Sequence, residues 1–554
     1  TGEPKKENDS FEYEVENNVE YIVRGNKPFD GAGLIDISLA KVWAGELGLD
    51  YVPSAFQFRA IPGIKGNVYV LDFDKFSKEF DKSTISDAWG KDKEVYNEDG
   101  TLAINVILTK SQYKFYDYLN FDDWKNEFET ERYGYKRTFN VSKISDKFEN
   151  IKDSVLLSYQ PLQSLNLDIN QIKVLCNHTI ETIKNISTDV NEFLKYRGLL
   201  DCDENDKGEK RQNIVVPSYY KALQKNPEQI FTDKYIQGKV QADIKKFKEN
   251  TYKGAVLVSG NYQTLMPDIF ALAQTAFGIE PTGLLNADEI YSKYWVTKMV
   301  PEIDIIRCPH IANEHAVTKV VNVDSDYYQY ASEGIITSIH SLIPQKLNSA
   351  DFDGDHILTN SSRVLIEAYK KQPSNTIIYV PVKKNNTTQS TTYKINDMKK
   401  AIDTDIKGMS NSIGKVVNQI TKLWSLEQTT ETLNYIKIMS VIGSLTIDFV
   451  KTGEKAAIPK VITNFLDEVK KPDFMRIIYP KQDRDEKDIN IDKRINTQAE
   501  ITLFGNTDCT MNRIYYYMKE ELNKIKFKKD KNDFDYKILM NNPNPNLAGN
   551  KTYP

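Results

Sequence analysis

Along the 554 residues the spacing of apolar positions changes period several times, and each change predicts an element. The chain begins polar and tightens at "FDGAGLIDISLAKVWAGELGL", where apolar residues at three-to-four spacing predict a short helix over Asp36 to Leu49. From there to about Ser145 the runs "FQFRAIP", "GNVYVLDF" and "LAINVILTK" are short, β-branched or aromatic, and cut by Gly, Pro and Asp, which predicts strands. The polar stretch "DCDENDKGEKRQN" (201–213) predicts an exposed loop. The segment after it, "VPSYYKALQKNPEQIFTDKYIQGKVQADIKKFKEN", is mostly helical, its lysines fitting a solvated face. A second strand-rich block opens at "GAVLVSG" (254–260), passes through a helix at "LMPDIFALAQTAFG", continues in "IDIIRCPHI" and "EGIITSIHSLIPQ", and closes at "TIIYVPVKK" (376–384). From Met398 to Val469 the period is helical, and the tail "NNPNPNLAGNKTYP" predicts a disordered or extended end.

These changes divide the chain into a lead-in at 1–45, a first β-rich block at 46–160 and a helical connector at 161–250. A second β-rich block at 251–385, a helical segment at 386–500 and a helical or extended tail at 501–554 follow. The fold class is α+β. At about 150 residues per domain the length agrees with three or four units, and no short repeat is present.

Composition changes this picture only at its edges. An apolar share of 40%, with 32 Tyr and 24 Phe, describes a folded chain and not a disordered one. A net charge of −5 excludes a uniformly basic nucleic-acid coat but leaves room for a local basic channel. Cys176, Cys202, Cys308 and Cys509 lack CxxC spacing, which implies neither a disulfide framework nor a zinc site and fits a reducing compartment. No apolar run approaches the ~20 residues needed to span a bilayer. The opening "TGEPKKENDS" is neither a Met start nor a signal peptide, and reads as a fragment or a processed or tag-trimmed product.

One stretch carries chemistry. In "NSADFDGDHIL" (Asn348 to Leu358) three aspartates, Asp351, Asp353 and Asp355, alternate inside an apolar frame. Like charges so close need water, calcium or magnesium to be tolerated. A lone DxD is usually a solvated turn. An EF-hand needs glycine at its sixth position and a bidentate glutamate at its twelfth; here those places hold His356 and Ser362, so calcium of that kind fails on spacing. For magnesium the pattern fits: in an extended segment alternate residues point one way, and Gly354 lets the backbone bend so that the third carboxylate converges. Such a set fills part of an octahedral shell and leaves room for a nucleophilic oxygen and a phosphate. Cations for those phosphates must come from elsewhere. His310, His315 and His356 flank the acids and read as core or hydrogen-bonding histidines. The run "YYY" (515–517) reads as a packed helix face, and "KIKFKK" (524–529) equally as a phosphate contact or a solvated helix end.

The stretch Ser349-Ala350 followed by D-F-D-G-D resembles the metal loop of the largest subunit of two-barrel RNA polymerases. "IIRCPHIANEHAVTKV" is similar to that family's Arg-x-Pro stretch leading to it. The multisubunit enzymes have Asn two residues before the first Asp, where this chain has Ser349, with Asn348 one step further back. The single-chain branch, cellular RNA-dependent RNA polymerases with their bacterial and phage relatives, fits better. "FDGAGLIDISLA", "PSAFQFRAIPGIKGNVYVLDF", "TKSQYKF", "SIGKVVNQ" and "IDFVKTGEKAAIP" resemble, in order, islands of its catalytic core over residues 28–460.

The resemblance implies two double-psi β-barrels joined by helical segments, the first carrying Lys65 and Lys114, the second Asp351, Asp353 and Asp355. It implies template-directed RNA synthesis, in which an RNA 3′-hydroxyl attacks the α-phosphate of a nucleoside triphosphate and pyrophosphate leaves. The acids are then catalytic and bind Mg²⁺ in a two-metal scheme, with Mn²⁺ as a substitute. Lys65, Lys114 and Arg307 bind the nucleotide, and Arg59 and Lys451 lie near nucleic acid. The helix in "LEQTTETLNYIKIMSVIGSLTIDF" would span the cleft. Partners are nucleoside triphosphates, template, RNA product and further polymerase segments or subunits, without a membrane. Phe352 between the first two acids and the Lys/Asn/Ile/Tyr bias favour a DNA template and a phage or bacterial source, acting in the host cytoplasm or packaged in a virion. The alternatives are an RNA template, and a non-catalytic nucleic-acid-binding subunit. An inactive relative has no reason to keep three repelling carboxylates.

Overall fold

The computed structural model describes residues 15, 28–60, 63–117, 119–128, 140–199, 217–348, 350–372, 398–399, 402, 406, 412–452, 456–475 and 508–530. The predicted loop at 201–213, the strand at 376–384 and the C-terminal tail lie outside these residues. The chain divides into two compact units, one of residues 1–167, 258–472 and 495–510, the other of residues 168–257, 473–494 and 511–554.

Among the described residues the first unit holds two large sheets and a two-stranded hairpin. Strands β1 (Ala32–Asp36), β2 (Ala55–Ala60), β3 (Ile64–Leu71), the hairpin β4 (Thr84–Ser86) and β5 (Asp92–Glu94), β6 (Val106–Leu108) and β7 (Asn140–Ile144) come from its N-terminal part. Five of them form one sheet in the order β6-β1-β3-β2-β7, the hairpin standing apart. This sheet starts at Ala32, inside the stretch assigned above to a lead-in of 1–45. Every residue of β1 is buried, so its pattern shows no alternation and merges with the helix that follows. That helix, Ile37–Glu46, is where the spacing predicts it. Asp36 ends the strand and starts the helix by accepting from Ser38 N at 2.8 Å, and its other oxygen accepts from Phe73 N at 2.9 Å.

β3 is buried on both faces. Val68 and Val70 join Phe56 and Phe58 of β2 and Ile37 and Ala40 of the helix in one core. Tyr69 and Leu71 join Ala32 and Leu34 in a second core, which contains Leu265, Ile305, Ile336 and Ile357 from the other sheet and Phe352 from the loop before β14. Each such buried side chain contributes about 1.5–3 kcal/mol, so burial fixes which face of β3 meets the second sheet.

That second sheet contains β8 (Ser154–Leu156), β9 (Leu257–Met266), β10 (Glu289–Tyr291), β11 (Glu302–Ile306), β12 (Ala316–Val320), β13 (Ile335–Thr337) and β14 (His356–Asn360). Its order is β13-β10-β12-β11-β14-β9-β8, and β13 pairs again with β9, which closes six strands into a barrel. β8 lies at its edge, although the sequence places residues 154–156 in the first block.

Helices Ser412–Trp424, Thr430–Thr452 and Lys460–Glu468 follow in the predicted helical stretch. Their apolar faces enclose Ile311 and Ala312, and Trp424 Nε1 donates to Ile311 O at 3.0 Å. The described residues of the second unit are mostly helical, as the segment 161–250 predicts, the longest helix among them, Ile169–Thr188, being capped by Asp168 and Gln171. In that unit Tyr516 donates to Asp473, which ties the tyrosine run into a packed face. Among the described residues no helix is long and apolar enough to cross a membrane.

Candidate active site

The acidic loop runs straight into β14. Its aspartates turn outward while Phe352, 2% exposed, anchors the loop in the core between the sheets. One ligand oxygen each from Asp351, Asp353 and Asp355 lies within 4.8 Å of the others. Gly354 has φ +125°, a conformation L side chains rarely adopt, and a Cβ there would stand 2.2 Å from Gln57 Nε2. The chain therefore needs glycine where the sequence predicts a bend.

Crowding shows in the acids themselves. Burial, then the charges of Asp353 and Asp355, pushes Asp351 up to about 7. Burial also pushes Asp353 upward, but hydrogen bonds from Lys65 and Asp351 and the charges of Lys65 and Lys114 outweigh it and hold that carboxyl below its usual range. Asp351 thus resists ionising beside its neighbours, and a cluster of carboxylates so close is a donor set suited to positive charge. A small inward movement from that 4.8 Å spread would bring the oxygens to about 2.1 Å from one ion, and among the described residues no sulfur or imidazole joins them, so the residues fit a hard divalent cation.

Two cations face the triad from different sheets. Lys65, on β3, places Nζ 2.9 Å from Asp353 Oδ2. Arg307, just after β11, places Nη2 2.9 Å from Asp355 Oδ2, and its Nη1 donates to the carbonyls of Leu347 and Asn348 at 3.3 and 3.1 Å. The Lys65 side chain is 49% exposed. So open an ion pair contributes only about 0–1 kcal/mol, too little to explain Lys65 as a structural staple. Lys114 donates to Ser111 O and acts on Asp353 through its charge rather than by contact. Arg59 lies directly across from Lys65 in the β2–β3 register, on the same face and exposed. The side chain of Lys451 and all of Ser349 lie outside the described residues.

Two of the flanking histidines, His310 and His315, are hydrogen-bonded in the core. His315 Nδ1 lies 2.7 Å from Asp304 Oδ2 and its Nε2 3.1 Å from Pro161 O, while His310 Nε2 lies 3.1 Å from Ser164 Oγ. Burial, then the charge of His315, holds His310 well below its usual value. His356 is half-buried and lowered, first by burial, then by the charge of Lys143.

Sequence reasoning missed what holds the acidic loop in place. Phe352 N donates to Asp30 O at 2.8 Å. Gln57 Nε2 donates to Asp353 O at 2.9 Å, and Tyr69 Oη lies 2.8 Å from Phe352 O and 3.1 Å from Leu265 O. Gly31, φ +79°, lies so close that a Cβ there would meet Asp353 Cβ at 2.5 Å. Its own backbone is held by Ser111 Oγ, 2.8 Å from Gly31 N, and by Gln112 Nε2, 3.0 Å from Gly31 O. Asp30, Gly31, Gln57, Tyr69, Ser111 and Gln112 all lie in the islands quoted above, without a role given there. The available signal was the alternation of Lys65, Asn67 and Tyr69 on β3, three polar-tipped residues on one face of an otherwise apolar strand.

A family model described as RNA dependent RNA polymerase matches residues 4–501. The DNA-directed RNA polymerase YonO of Bacillus phage SPbeta is 24% identical over 490 residues, 87% of this chain and 52% of that protein. The fold is similar to RNA dependent RNA polymerase QDE-1 from Thielavia terrestris, with a TM-score of 0.51 and 14% identity over 91% of this chain and 52% of that one. The chain thus spans about half the length of the relatives it matches.

Proposed function

The chain belongs to the RNA-dependent RNA polymerase family, and on that premise we propose that it carries the catalytic core of a template-directed RNA polymerase. One observation carries the reading: three carboxylates converge between Lys65 from one sheet and Arg307 from the other. We read the two sheets as the two double-psi barrels of this family, the closed six-strand ring supporting this for the second.

The reaction is nucleotidyl transfer from a nucleoside triphosphate to an RNA 3′-hydroxyl. Asp351, Asp353 and Asp355 would hold Mg²⁺, or Mn²⁺ in its place, which when bound supplies Lewis-acid stabilisation of the reacting oxygens. Lys65 lies within reach of a phosphate brought against Asp353, and Lys114 adds positive potential from a little further away. Arg307 presents a fork already oriented by two carbonyls and Asp355, so little side-chain freedom is lost when it meets a ribose or phosphate. Positioning and charge stabilisation do most of the work in such transfers. Arg59, on the same face as Lys65, borders the path of nucleic acid, and Lys451 has the same role by resemblance.

We propose a DNA template and a phage or bacterial setting in the host cytoplasm. Phe352 in the acidic loop and the DNA-directed activity for which the phage relative is named favour this. An RNA template is the second reading, favoured by the family description and by the QDE-1 likeness. Incorporation of labelled nucleotide, run with single-stranded DNA and RNA templates side by side in Mg²⁺, separates them. Asp353→Asn should lower incorporation at least about 100-fold, the scale of losing one preorganised charge-stabilising group. Equal signal from wild type and Asp353→Asn removes the polymerase reading.

A further inference from the structure

The acidic loop belongs in sequence to the second sheet, yet its backbone is gripped by the first. Lys65 meets a carboxylate, but Tyr69 and Gln57 meet peptide carbonyls, those of residues 352 and 353. Tyr69 is fully buried. Its hydroxyl carries one proton, and the carbonyl of Phe352 at 2.8 Å is nearer than that of Leu265 at 3.1 Å. Gln57 is oriented in turn: its Oε1 accepts from Ser142 Oγ at 3.2 Å, which leaves Nε2 for Asp353 O. Both side chains stand on the face of β2 and β3 that also presents Lys65, because Gln57 pairs with Asn67 and Arg59 with Lys65 in the register.

The carbonyls of residues 352 and 353 set the planes of the two peptides that flank Asp353, and those planes set the direction in which its side chain, the middle one of the three, leaves the backbone. Repulsion among the acids pushes them apart. A loop free to rotate about its peptides would relax by splaying, whereas one whose carbonyls are bonded from the opposite sheet does not. We infer that Tyr69 and Gln57 are positioning residues of the metal site, holding the peptides on either side of Asp353 so that the three carboxylates meet at one cation. This rests on the reading of the triad as a metal site.

The alternative is that Tyr69 only joins the two sheets, a role its approach to Leu265 O would equally fill. The two differ in what they change. A joint lost lowers the unfolding midpoint and leaves metal affinity alone. A lost orienting bond weakens the metal in a chain that is still folded. The full chain is titrated with Mn²⁺ alone, reading the free-ion electron spin resonance signal well below the unfolding midpoint, and RNA synthesis is followed against Mg²⁺ concentration. Tyr69→Phe should raise the Mn²⁺ dissociation constant roughly 10- to 100-fold, the usual cost of losing a group that orients a metal ligand. Half-maximal Mg²⁺ for synthesis should rise in step, with the rate at saturating Mg²⁺ retained. Wild-type Mn²⁺ affinity in folded Tyr69→Phe overturns the inference. Should that variant fail to fold, Gln57→Met takes its place under the same criterion. If wild type and Asp353→Asn bind Mn²⁺ alike, it is the metal-site reading that falls, a result distinct from either variant's.

Discussion

Gly31→Ala adds one methyl group, at a point where the first sheet touches the metal loop. Two costs are separable. At φ +79° an alanine meets the left-handed penalty of about 1–2 kcal/mol. The new Cβ would also stand 2.5 Å from Asp353 Cβ, 2.9 Å from its N and 3.0 Å from its Cα. Carbon contacts settle near 3.5–4.0 Å, so one backbone must retreat by about 1 Å, a strain of roughly 1–3 kcal/mol as overpacking goes. Gly31 is pinned by Ser111 and Gln112, so the yielding part is Asp353. A displacement of that size at a reacting centre costs about 100-fold in rate. Gly48→Ala is the control: it has φ +69° and nothing within 4 Å of a Cβ, and so meets the backbone penalty alone. Thermal melting and nucleotide incorporation on both variants test the reasoning. Gly31→Ala should lose about 100-fold in incorporation and melt below Gly48→Ala, which should keep its rate. A Gly31→Ala protein that works and melts like Gly48→Ala would show that the first sheet does not set the place of Asp353.

Arg307→Lys keeps the charge but gives up the fork that serves Asp355 and two carbonyls at once; the KM for nucleoside triphosphate should rise about tenfold or more, and an unchanged KM would place the nucleotide elsewhere. Glu333 lies buried under β9, accepting from Thr264 N at 2.7 Å and Thr264 Oγ1 at 2.8 Å. Burial is the main cause that pushes its carboxyl from 4.5 up to about 7, the Thr264 bonds opposing it. The folded chain thus holds this proton more tightly than the unfolded one, so the associated stability is complete below pH ~4.5 and is lost as pH rises through about 7, up to ~3 kcal/mol in all. Denaturant unfolding should show a flatter pH dependence in Glu333→Gln than in wild type across that window; parallel curves would refute the assignment. Ile311→Ala, in the core of the helical trio beside Arg307, should cost about 2–5 kcal/mol in denaturant unfolding, and a change well under 1 kcal/mol would mean that the loop is not anchored there.

The acids were legible because they break a rule: three like charges on alternate positions, flanked by apolar residues and bent by a glycine, make no sense as surface or as core. Lys65 and Arg307 were legible only through resemblance, since a lone lysine or arginine is most often a surface charge. Tyr69 left only an ambiguous signal. A polar-tipped residue alternating along a strand ordinarily marks the solvent side, and nothing local says that β3 has the second sheet over that face. β1 was hidden for the opposite reason. Buried on both sides, "AGLID" carries no period of two. The closure of the second sheet depends on β9 meeting β13, Leu265 against Ile335, a pairing of residues 70 positions apart that no window of sequence contains.

The geometry explains why a site of this kind is assembled at a seam and not inside one sheet. Within a single strand, alternate side chains splay along a face and diverge with the twist, so three acids on β14 itself would separate. Placed in a loop, they can converge, but a loop has no hydrogen-bond ladder of its own to resist their repulsion. The ladder is borrowed from outside. Asp30, Gln57 and Tyr69 supply partners for the main chain at residues 352 and 353, and Gly31 blocks its retreat. Arg307 is secured from another direction: its guanidinium rests on Asn348 O, and Asn348 Oδ1 accepts from Ser444 Oγ on the helix Thr430–Thr452 at 2.6 Å. The acids therefore report the placement of the first sheet, and the arginine reports the placement of the helices. A change in either support should reach the chemistry without touching a catalytic group, through metal affinity in the first case and nucleotide affinity in the second.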